Sequence, residues 1–319
     1  MYARVGKTRR NMNSKTMFYI VKRLVLALVT VLVVVTVTFW AMQAIPGGPF
    51  NQEKAISKEV IEQLNKLYGL DQPLFIQYLR YLGNALVWNF GVSLKVKNTY
   101  IMDLIGQNLP YSLATGLSAA ALAIIIGVIL GSTAALKHNK TADRTIMVLS
   151  TASVAMPSFV IATLFTWVFA DTLGLIQIGG DSWVCYILPI ITISLSPMCY
   201  ITRLTRSSTL DVLGADYIRT AQAKGVSKRR ILFKHALRNS VTPVITYAGP
   251  MIAYIITGSI VVEQIFNLKG LGRMFVNSIS ARDYPQVMGT TVFLTFLMVI
   301  MVLVSDILYK LVNPRVDFD

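Results

Sequence analysis

The chain has 319 residues, of which 54% are hydrophobic, and its mean hydropathy is +0.58. This composition is too apolar for one or two soluble domains and is typical of a chain that lies in a lipid bilayer. The formal net charge is +15. Because the basic residues are spread over the segments between apolar blocks, the charge does not indicate nucleic-acid binding.

Six apolar runs without a charged residue predict six transmembrane helices. Each run holds the roughly 20 residues that a helix needs to cross the hydrocarbon core. The runs are 24–52, 104–136, 145–170, 182–202, 239–262 and 284–305. We therefore expect an all-α, polytopic membrane protein. The first apolar core is longer than the roughly 7–15 residues of a signal peptide, so we expect it to remain as an anchor.

The distribution of Lys and Arg predicts the orientation, because cationic loops are retained in the cytoplasm. The segments 1–23, 137–144, 203–238 and 310–319 hold 21 of the 30 Lys and Arg residues, and the alternate segments hold nine. We therefore expect both termini, and the long loop after the fourth span, to be cytoplasmic.

The predicted spans divide the chain into four parts. These are a cytoplasmic tail with the first span (1–45), an external segment with short helices (46–103), a five-helix core that includes the cytoplasmic loop 203–240 (104–313), and a cytoplasmic tail (314–319). In the external segment, helices are expected around 59–67 and 74–86. A turn, GLDQP, lies between them.

Small residues and prolines predict how the spans pack. Gly127 and Gly131, four residues apart in the second span, form a face that permits close helix approach. At this face we expect Gly127→Ala to be milder than Gly225→Val, a bulky substitution in the loop 203–240. Pro157 in the third span, and Pro189 and Pro197 in the fourth, are expected to kink their helices.

The cytoplasmic loop 203–240 is predicted to contain a helix, a glycine turn and a second helix. Asp211 or Asp216 can begin the first helix, and Gly225 can end it. Ser227 can cap a second helix over the five residues that follow. A long cationic loop with this shape is expected to bind another protein.

At these residues the chain resembles a known family. The run RTAQAKG (219–225), followed by HALRN (235–239), is similar to the coupling loop of ABC importer permeases of the peptide and nickel branch. Arg219 stands where importers in general have an acidic residue. The external runs GLDQP, QYLR and FGVS, and later VEQIF and GLGR, are similar to the same branch. The chain is thus identified as a B-type membrane permease subunit of the oligopeptide, dipeptide and nickel ABC importer family.

The resemblance implies the type I ABC importer permease fold and a multi-pass location in a bacterial cytoplasmic membrane. It implies peptide import, of oligopeptides foremost, while dipeptides, glutathione and nickel chelates remain open as cargo. The implied partners are a second, similar permease subunit, two cytoplasmic ATP-binding subunits and an external substrate-binding protein. ATP and Mg would be used by those ATPases, and this chain itself would bind no cofactor. The expected ATPase contacts are Asp216, Arg219, Thr220, Ala221, Lys224 and Gly225.

Two other functional classes fit the residues less well. An ion-coupled secondary transporter usually needs ionisable groups inside the membrane, and the six runs have none at mid-depth. An enzyme would need catalytic groups. The chain has no P-loop motif, and its two cysteines and two histidines lack metal-ligand spacing. We therefore expect a non-catalytic subunit without a catalytic, cofactor or metal site.

Overall fold

A computed structural model describes residues 2–45, 62–63, 69–180, 182–227, 230–231, 236–257 and 259–312. Side chains are described for those of these residues that lie between 21 and 306. In this part of the chain the regular structure is helical, and the β-structure consists of one isolated bridge between Val92 and Tyr100. The all-α prediction is confirmed.

Twelve α-helices follow one another in the described residues. They are α1 (Tyr2–Gln43), α2 (Leu74–Leu86), α3 (Ile101–Leu136), α4 (Thr141–Ala155), α5 (Ser158–Phe165), α6 (Ile187–Leu213), α7 (Asp216–Ala223), α8 (Leu237–Ser240), α9 (Thr242–Ile256), α10 (Ile260–Ile265), α11 (Leu271–Ser280) and α12 (Tyr284–Val312). A π-helical segment, Thr166–Thr172, extends α5, and a 3-10 turn, Trp183–Tyr186, leads into α6. The predicted helix over 74–86 is confirmed as α2, whereas the one around 59–67 lies largely outside the described residues.

Four of the described helical stretches are long and apolar enough to cross a membrane by themselves. They are Val21–Gln43, Ile101–Leu136, Trp183–Leu213 and Tyr284–Asp306. These correspond to the predicted first, second, fourth and sixth spans. The count rises to five if α4 and α5, with the π-helical segment, form one bent span.

The third predicted span is broken rather than kinked. The chain turns by 101° between α4 and the helix that begins at Ser158. Pro157 lies at this turn and holds Met156 in an extended conformation, because the proline ring disfavours a helical residue before it. The expectation of one kinked helix over 145–170 is therefore wrong. Pro197, in contrast, lies inside α6 without ending it.

The fifth predicted span is divided into two helices. α9 has 15 residues and a length of about 22 Å, which is short of the roughly 30 Å hydrocarbon core. The short helix α8 precedes it, and only Val241 separates the two. The described residues thus form four or five candidate spans of the six predicted, and the fifth predicted span is not among them.

The described residues form two compact units, one from those within 2–107, 277–303 and 310–312 and the other from those within 108–276 and 304–309. The second unit has a core of small and medium side chains. Its buried residues are Ala119, Ala120, Ala123, Ile201, Val244, Met251 and Ile255. Alanine on one face of α3 lets α6 and α9 approach it closely. This packing positions α6, the helix that leads directly into α7.

Candidate coupling site and the contacts that hold it

The first helix predicted in the loop 203–240 is α7. It begins at Asp216, directly after the N-cap residue Ala215, which makes no side-chain capping hydrogen bond. The Asp216 carboxylate lies in the first turn, where it interacts favourably with the helix dipole. Asp211, the alternative start, lies inside α6. Asp216 is therefore the correct boundary, and Asp211 is not.

The C-terminus of α7 is a Schellman motif centred on Gly225. The Gly225 N–H donates to the Gln222 carbonyl at 2.9 Å, and the Val226 N–H donates to the Ala221 carbonyl at 3.2 Å. Gly225 has φ +74°, a left-handed conformation that glycine adopts without steric cost. A Cβ at Gly225 would meet no described atom within 4 Å. The prediction that Gly225 ends the helix is confirmed.

The six expected ATPase-contact residues lie together on α7 and its C-terminal turn. All are exposed except Ala221, which is half-buried. The Arg219 guanidinium lies 3.7 Å from the Asp216 carboxylate. Because both side chains are strongly exposed, this ion pair contributes little to stability. The six residues form a surface that another protein can reach.

α7 belongs to the second unit, and residues on its other side attach it there. Ile218, the one large aliphatic residue of α7, is fully buried. The Asn239 side-chain amide, in α8, donates a hydrogen bond to the Tyr217 hydroxyl at 2.9 Å. None of these three residues was among the predicted site residues. The apolar side chain of Ile218 in a polar helix is a local signal for such an anchor, whereas the Tyr217–Asn239 bond has no local signal.

The predicted second helix of the loop falls mostly on residues outside the described part, 228–229 and 232–235. Arg230 and Ile231 are described, and both are helical. The Ile231 N–H donates to the Ser227 carbonyl at 3.0 Å, which is the bond that opens a helical turn. Ser227 therefore stands at the start of a helical turn.

Gly127 and Gly131 bring α3 into close contact with α6. A Cβ on Gly127 would lie 2.9 Å from the Met198 carbonyl oxygen. A Cβ on Gly131 would lie 2.5 Å from the Thr202 carbonyl oxygen and 2.6 Å from the Thr205 Cβ. The predicted close packing is confirmed. The same Cβ on Gly127 would lie 2.8 Å from the Ile201 Cγ2, so Gly127→Ala is expected to disturb this contact, and its effect relative to Gly225→Val stays a prediction.

A partly buried ion pair ties the C-terminal half of α6 to the start of α4. Arg206 donates from Nε to Asp143 Oδ1 at 2.6 Å and from Nη2 to Oδ2 at 2.8 Å. The Asn139 N–H donates to the same carboxylate at 2.9 Å, and the His138 Nδ1 lies 3.2 Å from Arg206 Nη2. Bidentate pairing fixes both position and orientation. α6 thus provides a rigid base for α7.

A second buried carboxylate, Glu263 of α10, holds the start of α11. The Ser112 hydroxyl donates to Glu263 Oε1 at 2.8 Å, and the Arg273 N–H donates to Oε2 at 3.1 Å. The Ser112 oxygen in turn accepts the Leu271 N–H at 2.9 Å. Burial raises the pKa of Glu263, although these hydrogen bonds act in the opposite direction. The network satisfies N–H groups at the helix N-terminus and joins α3 to the segment after α9.

Comparisons with known proteins place this arrangement in a family. Residues 123–318 match the family described as Binding-protein-dependent transport system inner membrane component, and residues 16–114 match the N-terminal part of such components. The dipeptide transport system permease protein DppB of Bacillus subtilis is 42% identical over 299 residues, which are 93% of this chain and 97% of that protein. The oligopeptide transport system permease protein OppB of Haemophilus influenzae is 40% identical over 303 residues, 94% of this chain and 99% of that protein.

Solved structures support the fold. Inward-facing conformations of the MetNI methionine ABC transporter align with a TM-score of 0.55 at 16% identity and cover 67% of this chain and 98% of theirs. This similarity shows the type I ABC importer permease fold. With the family match over most of its length, the chain belongs to the binding-protein-dependent transport system inner membrane components, which are non-catalytic membrane subunits of ABC transporters.

Proposed function

We propose that this chain is a permease subunit of an ABC importer for peptides. The names of the two relatives reported above support the cargo, since one is a dipeptide and the other an oligopeptide transport permease, and each matches over more than nine-tenths of the chain. In this function the chain forms part of the path through the membrane. Mg-ATP is hydrolysed by separate subunits.

The observation that carries the coupling role is the two-sided environment of α7. One side offers the six exposed or half-exposed contact residues, and the other is anchored through Ile218 and the Tyr217–Asn239 bond. A partner that moves α7 would therefore move α6 and α8 with it. A rigid lever whose docking differs between states is what a coupled conformational switch requires.

The proposed complex contains a second, similar permease, two ATP-binding subunits and an external substrate-binding protein. In the proposed topology both termini and α7 are cytoplasmic, as the distribution of Lys and Arg indicates. The ATPases then bind on the side where ATP is available, and substrate arrives from the opposite side.

The experiment is a set of substitutions at Gly225. Gly225→Val places a β-branched residue in a left-handed conformation, at a cost of about 1–2 kcal/mol, and adds bulk to the docking surface. We expect ATPase co-purification and peptide uptake to fall at least five- to thirtyfold, the ratio that corresponds to about 1–2 kcal/mol, while the amount of chain in the membrane stays normal.

Two control variants distinguish backbone strain at position 225 from a general loss of folding or assembly. Gly225→Asn should retain much of the association, because asparagine tolerates the left-handed conformation. Gly214→Ala, at the end of α6, should be nearly neutral, since Gly214 has negative φ and its nearest described atom, the Asp211 carbonyl oxygen, would lie 3.5 Å from a Cβ. Normal association and uptake with Gly225→Val would show that α7 is not the coupling element.

A further inference from the structure

Helix α2, in the segment before the second span, has three different sides. Tyr78, Tyr81, Leu82 and Ala85 are half-buried on one side. A polar side follows with Gln77, Arg80 and Asn84. The third side is apolar and exposed, with Phe75 64%, Leu79 49% and Leu86 74% accessible. We call these last three residues the apolar strip.

The half-buried side packs on α1 and sets the depth of α2. The Tyr78 and Thr36 hydroxyls are 2.9 Å apart, and the Phe39 ring lies 5.5 Å from Tyr78 between centroids. The Gln43 amide donates to Gln77 Oε1 at 3.3 Å. Gln43 is the last residue of the first span. Thr36, seven residues earlier, lies about 10 Å inside that end.

The C-terminal end of α2 lies beside the last span. Trp88, two residues beyond α2, has its ring centroid 4.6 Å from that of Phe296 and 6.2 Å from that of Phe293. These phenylalanines are nine and twelve residues into α12, which places them about 14 and 18 Å from its start. Each end of α2 thus packs against a span, at a level between the two ends of that span.

The polar side of α2 is the side that we expect to face water. The Arg80 guanidinium donates to Gln72 Oε1 at 2.9 Å, and the Gln77 amide donates to the Gln72 carbonyl at 2.7 Å and the Leu70 carbonyl at 3.0 Å. The turn before α2 therefore forms hydrogen bonds with the polar side, where Arg80 and Asn84 remain exposed, and it leaves the apolar strip exposed as well. A helix with one charged side and one strongly apolar side is suited to the interface of a bilayer.

We propose that α2 is a membrane-inserted interfacial helix whose apolar strip contacts lipid acyl chains, in the outer leaflet for the proposed topology. Lipid fits better than a protein surface, because α1 next to it is also open to lipid. Only 11% of the apolar stretch of the first span is buried. Val37 and Trp40 of α1, which lie at the level where α2 packs on it, are exposed. The strip carries no charged residue. The segment between the first two spans thus belongs partly to the bilayer.

The test uses the assembled transporter in lipid nanodiscs, with single cysteines in a chain without Cys185 and Cys199. An environment-sensitive fluorophore is attached at Phe75→Cys, Leu86→Cys or Asn84→Cys. Asn84 is the matched control, because it lies two residues from Leu86 and about 160° around the helix. Quenching is compared between lipids brominated on the acyl chain and aqueous iodide.

We expect brominated lipid to quench the labels at Phe75 and Leu86 at least twofold more than the label at Asn84, with the reverse order for iodide. Equal iodide quenching at all three positions would overturn the proposal by placing the apolar strip in water. Protection of Phe75 and Leu86 from both quenchers would also overturn it, because a protein subunit would then cover the strip. Leu79→Cys provides a third strip position should one variant fail to assemble.

Discussion

The contact between α3 and α6 at Gly131 can be tested by the addition of one methyl group. In Gly131→Ala the new Cβ would lie 2.5 Å from the Thr202 carbonyl oxygen and 2.6 Å from the Thr205 Cβ, whereas ordinary contacts begin at 3.4 Å. The helices must therefore separate by almost 1 Å. The Thr202 oxygen cannot rotate away, because it belongs to the backbone of a continuous helix.

The expected magnitude follows from two opposing terms. Overpacking of a well-packed contact costs about 1–3 kcal/mol. We expect a cost near the upper value here, because a main-chain oxygen cannot move aside as the end of a side chain can. Alanine gains about 1 kcal/mol over glycine in a helix interior. The net loss for Gly131→Ala is then about 2 kcal/mol. Gly106→Ala is the control, because Gly106 lies in the same helix and a Cβ there would meet no described atom within 4 Å. This variant should gain about 1 kcal/mol.

The assay is unfolding of the purified transporter in detergent together with peptide uptake after reconstitution. We expect the Gly131→Ala unfolding midpoint to lie below that of the parent chain, and that of Gly106→Ala to lie at or above it. Uptake should fall with Gly131→Ala, because the base of α7 loses its fixed position. Equal stability of the two variants would refute the reasoning, since it would mean that α3 and α6 are not in close contact.

Three further outcomes are expected. Asp143→Leu or Arg206→Leu alone should destabilise the protein by about 3 kcal/mol. This value is the lower end for a buried ion pair, because the Arg206 side chain is 22% exposed. The double variant should recover part of this loss, and additive losses in a double-mutant cycle would contradict the pairing. Burial raises the pKa of Glu263, so its protonated form is favoured in the folded state, and stability should fall as pH rises from 4.5 through the raised pKa. Thermal midpoints across this range should show that slope, and Glu263→Gln should reduce it; an unchanged slope would exclude Glu263 as its origin. In a chain without its two cysteines, single cysteines at Ser227 and Asn98 should react from opposite sides of the membrane, and labelling of both by an impermeant reagent in intact cells would contradict the topology.

The sequence by itself determined the class of the protein and the position of its coupling helix. Long uncharged runs indicate membrane helices, because only an internally hydrogen-bonded segment of about 20 apolar residues can cross a bilayer. Gly225 could be assigned for an equally local reason, since a left-handed residue at a helix end is most often glycine. Both signals are complete within a short stretch of chain.

Tertiary structure alone decided which features act together. Pro157 lies at a 101° break between two helices, whereas Pro197 lies within the continuous helix α6. Partners of the buried carboxylates are distant in the chain, since Asp143 and Arg206 are separated by 63 positions and Ser112 and Glu263 by 151. No local pattern encodes such pairs, because the energy that selects them arises only when packed helices exclude water around both groups.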